Sequence, residues 1–208
     1  MKLQLALDTQ SLEESLALVA KVQDCVDIIE IGTPFILKEG NRPVTAMKKA
    51  FPQLLVLADT KIMDGGAFEA SAAFAAGADL VTVCAVAYDA TILGVIEAAK
   101  KAGKQVLVDM IATKDIVNRA KEIDAMGADY LCCHTAFDIQ STGASPLAEL
   151  KLLNKAIKNG KSAVAGGVKL ATIDEIVEEG TQIVVVGGAI ANAPDPAAMA
   201  RAIKERMR

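Results

Sequence analysis

Apolar residues in this chain come in short runs spaced along its whole length. The runs are LQLALD (3–8), DIIEIG (27–32), LLVLAD (54–59), LVTVC (80–84), QVLVDMI (105–111), YLCCH (130–134), SAVAGG (162–167) and IVVVGG (183–188), eight in all. Most are continuously apolar rather than alternating, as strands buried on both faces are. Stretches of helical period lie between them. SLEESLALVAKV opens at Ser11 and carries Glu14 three residues on, the spacing of a capping box. TIDEIVEEG repeats that spacing with Thr172 and Glu175, and SPLAELKLLNKAIKNG places Pro146 at a first helical position. Gly77, Gly103, Gly127, Gly160 and Gly180 each follow a helical stretch and precede a strand. The GAD triplets at 77–79 and 127–129 open two strands in the same way, which reads as repeated βα units within one domain over 1–208.

Eight β runs alternating with helices predict an α/β fold, a (β/α)8 TIM barrel. A doubly wound open sheet is the other candidate, but no G-x-G-x-x-G turn follows the first run. Composition agrees with the barrel. The 208 residues suit one domain, and with 52% hydrophobic but only 3% aromatic residues the core must come from Ala, Val, Ile and Leu. A net charge of −4 without a basic patch argues against nucleic acid as a partner. The one basic cluster, RAIKERMR at the tail, suits the last turn of a helix. No apolar run reaches the ~18 residues of a membrane span, and no signal peptide is read at the start, so a cytoplasmic location is expected. Cys25, Cys84, Cys132 and Cys133 form no C-x-x-C pair and read as free, mostly buried thiols.

A barrel carries its chemistry at the C-terminal ends of its strands. Here those ends bear Asp8, Glu30, Asp59 with Lys61 and then Asp64, Asp109, and His134, the only histidine. Singly, each has a structural reading: Asp8 as a turn residue, Asp59 and Lys61 as an ion pair, Asp109 as a partner of Lys61 only. Together they place ionisable groups on five strands at the catalytic end, while mid-strand positions stay apolar. Glu30 and Asp59 sit on neighbouring strands, and oxygen donors without a Cys or His cluster suit Mg²⁺, or Mn²⁺. Gly166–Gly167 and Gly187–Gly188 end the last two strands, where many barrels bind phosphate through backbone amides.

These residues also carry a resemblance. DTKIMD is a D-x-K-x-x-D motif following the third apolar run. With Asp8, EIGTP, HTAFDIQSTG and the two double glycines, it resembles the metal-dependent branch of the orotidine 5′-phosphate decarboxylase superfamily, and within it the 3-hexulose-6-phosphate synthases. The sister 3-keto-L-gulonate-6-phosphate decarboxylases are similar, but they carry Arg, Glu and Thr where this chain has Phe137, Asp109 and Ala165, and an Arg in strand 8 that GGA lacks. The resemblance implies aldol addition of formaldehyde to D-ribulose 5-phosphate through a Mg-stabilised enediolate, in formaldehyde fixation or detoxification. It implies Glu30 and Asp59 as metal ligands, Lys61 beside the oxyanion, His134 moving the proton, and Asp8 and Asp109 positioning hydroxyls and Lys61. It further implies a homodimer in which Asp64 reaches the neighbouring subunit's site. The sister decarboxylase and a noncatalytic phosphosugar-binding barrel are the alternatives.

Overall fold

The computed structural model describes residues 1–208. Eight parallel strands close on themselves in chain order: β1 (Lys2–Leu7), β2 (Ile28–Ile31), β3 (Leu55–Ile62), β4 (Leu80–Cys84), β5 (Gln105–Asp109), β6 (Tyr130–His134), β7 (Lys161–Ala165) and β8 (Ile183–Val186). The (β/α)8 barrel expected from the hydrophobic pattern is therefore the fold. The helices of the outer layer are α1 (Leu12–Val22), α2 (Thr33–Glu39), α3 (Arg42–Ala50), α4 (Gly66–Ala75), α5 (Asp89–Ala102), α6 (Ile116–Met126), α7 (Phe137–Gln140), α8 (Leu147–Ala156), α9 (Ile173–Glu178), α10 (Gly188–Ala191) and α11 (Pro196–Arg206). None is long and apolar enough to cross a membrane.

The strands read as continuously apolar because each has two dry faces. One phase, Leu3, Leu5, Leu7, Ile29, Ile31, Val56 and their equivalents, joins the helices in a cluster of 51 buried residues. The other phase fills the barrel with 11 residues, among them Ala6, Ile28, Leu57, Leu80, Leu107 and Ala163. The sizes show that most apolar burial, the main stabilising term, lies between sheet and helices. The inner cluster also leaves room for polar residues of the same phase: Gln4 two residues before Ala6, Glu30 two after Ile28, Asp59 two after Leu57.

The capping box of α1 forms, with Ser11 Oγ accepting from Glu14 N and Glu14 Oε2 accepting from Ser11 N. Three local expectations need correction. Thr172 does not cap α9: its hydroxyl donates instead to Lys169 O in a turn. Pro146 is the residue before α8 rather than its first residue, a one-position shift of the kind helix ends show. Gly160 does not stop α8, which already ends at Ala156; its amide donates to Asp124 Oδ1. Cys84, Cys132 and Cys133 are buried, Cys25 is half-buried, and all four are free thiols.

Candidate active site

The third strand does not end at Asp59. It runs on through Ile62, so Asp59 and Lys61 lie within β3 and only Asp64 lies beyond it. The extension is possible because β3 and β4 lose step there: Ala58 pairs with Val81 and Ile62 with Val83. This is a bulge, a device that re-aims side chains next to active sites. Lys61 takes φ +44°, which a residue with a Cβ adopts at a cost of about 1–3 kcal/mol and which clusters at functional positions.

That backbone folds the lysine back onto two carboxylates. Lys61 Nζ donates to Asp59 Oδ1 and Oδ2 at 3.0 and 2.9 Å and to Asp109 Oδ2 at 2.8 Å. Burial works against its charge, but Asp59 and Asp109 outweigh burial and raise its pKa, so Lys61 is an ammonium. Asp109 Oδ2 also faces His134 Nδ1 at 2.9 Å, while its Oδ1 accepts from Ile111 N. Burial alone would raise the Asp109 pKa. The His134 hydrogen bond and the His134 and Lys61 charges outweigh it and bring the group down to about 2. A carboxylate facing Nδ1 calls for a proton on that nitrogen, which leaves Nε2 as the free basic atom.

Glu30 lies inside the barrel, and its Oε2 accepts from Gln4 Nε2 at 2.6 Å. Burial first, then the Asp59 charge, raise its pKa. Asp8 is raised in the same order, by burial and then Asp59. Its carboxylate sits directly over Gly32: a Cβ there would fall 2.1 Å from Asp8 Oδ1, so only glycine leaves that carboxylate its place. Four carboxylates, Asp8, Glu30, Asp59 and Asp109, thus share one ammonium and one imidazole.

This surplus of partly unpaired carboxylate charge, made only of oxygen donors, fits a divalent cation. No three Asp, Glu, His or Cys side chains converge on one point. A partial shell of two carboxylates, completed by substrate and water, is the mode Mg²⁺ favours.

At the last two strands the double glycines follow β7 and β8 rather than end them. Gly166 (φ +90°) has its own packing reason, since a Cβ would lie 2.1 Å from Thr135 O. Gly187, beside Ala6 and Asp8, leads into the short α10, whose first residue is Gly188. Asp64 stands apart. It is exposed, its Oδ1 accepts only from the adjoining Gly65 N, and it lines a groove of about 1040 Å³ with Val86, Tyr88, Thr113 and Lys114. The structure therefore brings Asp59, Lys61, Asp109 and His134 into one hydrogen-bonded set, with Asp8 and Glu30 electrostatically coupled to it, and leaves Asp64 outside.

Four further residues of the site were given no role from the sequence, although Gly32 and Thr33 lie within the EIGTP motif. Thr33 Oγ1 lies 2.8 Å from both Asp59 O and Asp59 Oδ2, and Thr82 Oγ1 lies 2.8 Å from Asp59 Oδ1. Gln4 and Gly32 serve Glu30 and Asp8 as described. Gln4 had a visible signal, an amide inside an apolar run; the β-branched threonine of LVTVC had none.

Known proteins resemble this chain over almost its whole length. The orotidine 5′-phosphate decarboxylase / HUMPS family model matches residues 1–203. The chain is 49% identical over 205 residues to the 3-hexulose-6-phosphate synthase of Bacillus subtilis, covering 99% of this chain and 98% of that one. It superposes on the crystal structure of the Salmonella typhimurium 3-hexulose-6-phosphate synthase with a TM-score of 0.98 at 46% identity, covering 100% and 98% of the two chains. The 3-keto-L-gulonate-6-phosphate decarboxylase of Vibrio cholerae is more distant, at 27% identity and a TM-score of 0.88 over 99% and 96%. The closed eight-stranded barrel, the family match over almost its whole length and near-50% identity to the synthases together establish that this chain belongs to the orotidine 5′-phosphate decarboxylase / HUMPS family, among its 3-hexulose-6-phosphate synthases.

Proposed function

We propose that this lyase adds formaldehyde to D-ribulose 5-phosphate and forms D-arabino-hex-3-ulose 6-phosphate. The observation that carries the reading is the shared oxygen of Asp109, which holds an ammonium and an imidazole side by side at the catalytic end of the barrel. Aldol chemistry needs both: a base for the proton on carbon and a fixed positive charge for the oxyanion that results. His134 Nε2 takes a proton from C1 of the ketose. The enediolate develops beside Lys61, whose charge Asp59 and Asp109 keep in place. C1 then bonds to the formaldehyde carbon, and the new alkoxide recovers the proton from His134. Glu30 and Asp59 would hold Mg²⁺ or Mn²⁺, which as a Lewis acid supplies further stabilisation of negative charge on oxygen. Asp8 and Asp109 orient hydroxyls, and the amides at Gly166–Gly167 and Gly187–Gly188 hold the phosphate. A Schiff-base route through Lys61 is disfavoured, because it needs the amine neutral.

Phe137, Asp109 and Ala165 separate this reading from the sister decarboxylation. A noncatalytic phosphosugar barrel would have no use for a paired base and ammonium. The groove beside Asp64 and the exposed Tyr88 and Phe68 support a homodimer in which Asp64 serves the partner's site. The physiological setting in this reading is formaldehyde fixation or detoxification in the cytoplasm. The test is formaldehyde consumption with ribulose 5-phosphate, with Mg²⁺ and again with excess chelator. Metal-dependent loss of formaldehyde is expected; no loss in either condition would reject the reading, and carbon dioxide release from keto-gulonate phosphate would favour the sister reaction.

A further inference from the structure

Three residues of β3 face a single residue of β4. Between the pairs Ala58–Val81 and Ile62–Val83, Asp59, Thr60 and Lys61 all lie opposite Thr82. Thr82 touches each of them. Its Oγ1 is 2.8 Å from Lys61 N and 2.8 Å from Asp59 Oδ1, and its carbonyl accepts Thr60 Oγ1 at 2.9 Å. The residue is buried, so no solvent competes for these bonds.

The direction of each bond follows from chemistry. A backbone N–H only donates, so the Thr82 oxygen accepts from Lys61. The one hydroxyl proton is then left for the Asp59 carboxylate. A single side chain thereby ties the main chain of the lysine to the side chain of the aspartate. It does so at the residue whose backbone is in the left-handed region, at φ +44°. A regular strand would set side chains two residues apart about 7 Å from each other and parallel. Here the lysine nitrogen instead reaches both Asp59 oxygens and Asp109. Cys84, two residues along β4, adds a weaker hold, its Sγ lying 3.6 Å from Lys61 O.

We infer that Thr82 is a positioning residue for the Asp59–Lys61 pair: its hydroxyl holds Lys61 in the left-handed conformation and orients the Asp59 carboxylate, so that the ammonium stands between Asp59 and Asp109. Valine has the same shape and neither bond. Serine has both bonds and lacks only a methyl.

The kinetic arm of the test rests on the proposed aldol reaction; the structural arm does not. Thr82→Val, Thr82→Ser and the parent chain are compared by kcat and KM for ribulose 5-phosphate, by thermal midpoint and by crystal structure. Thr82→Val is expected to lower kcat roughly 100-fold, the scale of a misplaced catalytic group, with KM changed less than about threefold. Lys61 should leave positive φ in that variant. Thr82→Ser should restore positive φ at Lys61 and kcat to within about threefold of the parent. The inference is overturned if Lys61 keeps its positive φ in Thr82→Val with parent-like turnover, or if serine is no better than valine. Should the valine variant not fold, Thr82→Ala gives the same readouts. Should the parent fail to consume formaldehyde, the aldol reading falls, and the Lys61 conformation in the variants still decides the role of Thr82.

Discussion

At the scale of single residues, Asp109 Oδ2 is the junction of the site, taking both Lys61 Nζ and His134 Nδ1. With its pKa near 2, Asp109 stays ionised throughout the neutral range, so the Nδ1 proton of His134 always has a partner. His134→Gln keeps some polarity but cannot shuttle a proton. Its kcat should fall about 10²–10⁴-fold, the usual worth of a general acid–base group, while KM for ribulose 5-phosphate changes little; steady-state kinetics at saturating Mg²⁺ check this. The ionisable members of this site were legible in the sequence because charge at the end of an apolar run is conspicuous and costly. Thr82 was invisible for the opposite reason: a threonine in LVTVC is simply good strand material, and only the bulge gives its hydroxyl two partners. Asp64 was legible as part of the motif, and it stands exposed, with only the adjoining Gly65 N–H on its carboxylate.

At the scale of elements, the floor of the barrel opposite the site repeats one device. Asp27, Asp79 and Asp129 precede β2, β4 and β6. Each side chain accepts a backbone N–H from the preceding strand, at Leu3, Val56 and Val106. Each main-chain carbonyl accepts from the next strand, at Leu55, Gln105 and Lys161. One residue therefore fastens three strands. The remaining pair, β7 and β8, is joined by Ser162 Oγ donating to Thr181 Oγ1. The recurrent GAD triplet was the visible trace of this device, although its carboxylate's target was not readable from spacing. Asp124 on α6 braces another joint, accepting from the amides of Lys158, Asn159 and Gly160 before β7. Burial pushes its pKa up, but these hydrogen bonds outweigh burial and lower it. A carboxylate whose folded pKa is depressed adds stability above its unfolded value and loses it as pH falls through the folded one. Asp124→Asn should cost about 2 kcal/mol near pH 7, as hydrogen bonds to a charged group do. The gap from the parent should close as pH drops below about 4; denaturant unfolding at several pH values measures it.

At the scale of the whole molecule, two ends of the barrel do different work, with carboxylates and lysine converging at one and strand fastenings at the other. The barrel was legible because eight doubly buried strands leave eight apolar runs. The surface was less so, since an exposed aromatic looks the same in sequence as a core one. Phe68 and Tyr88 are each 84% exposed, and Met63 and Val86 about half, all on the segments following β3 and β4, with Val86 and Tyr88 lining the Asp64 groove. Exposed apolar patches of this kind mark association sites. On the proposed homodimer, Phe68→Glu combined with Tyr88→Glu should convert the dimer into a monomer by sedimentation, with a large loss of kcat but no unfolding as Asp64 loses the partner's site; a parent chain that already sediments as a monomer would overturn that proposal. The floor fastenings carry a last consequence. Side-chain braces join β1 to β2, β3 to β4, β5 to β6 and β7 to β8, so the unit of construction is a couple of strands rather than one βα module. Since the same aspartates pass only a main-chain carbonyl on to the following strand, the barrel is a ring of four staves, nailed by side chains within each stave and hooped together between staves by backbone alone.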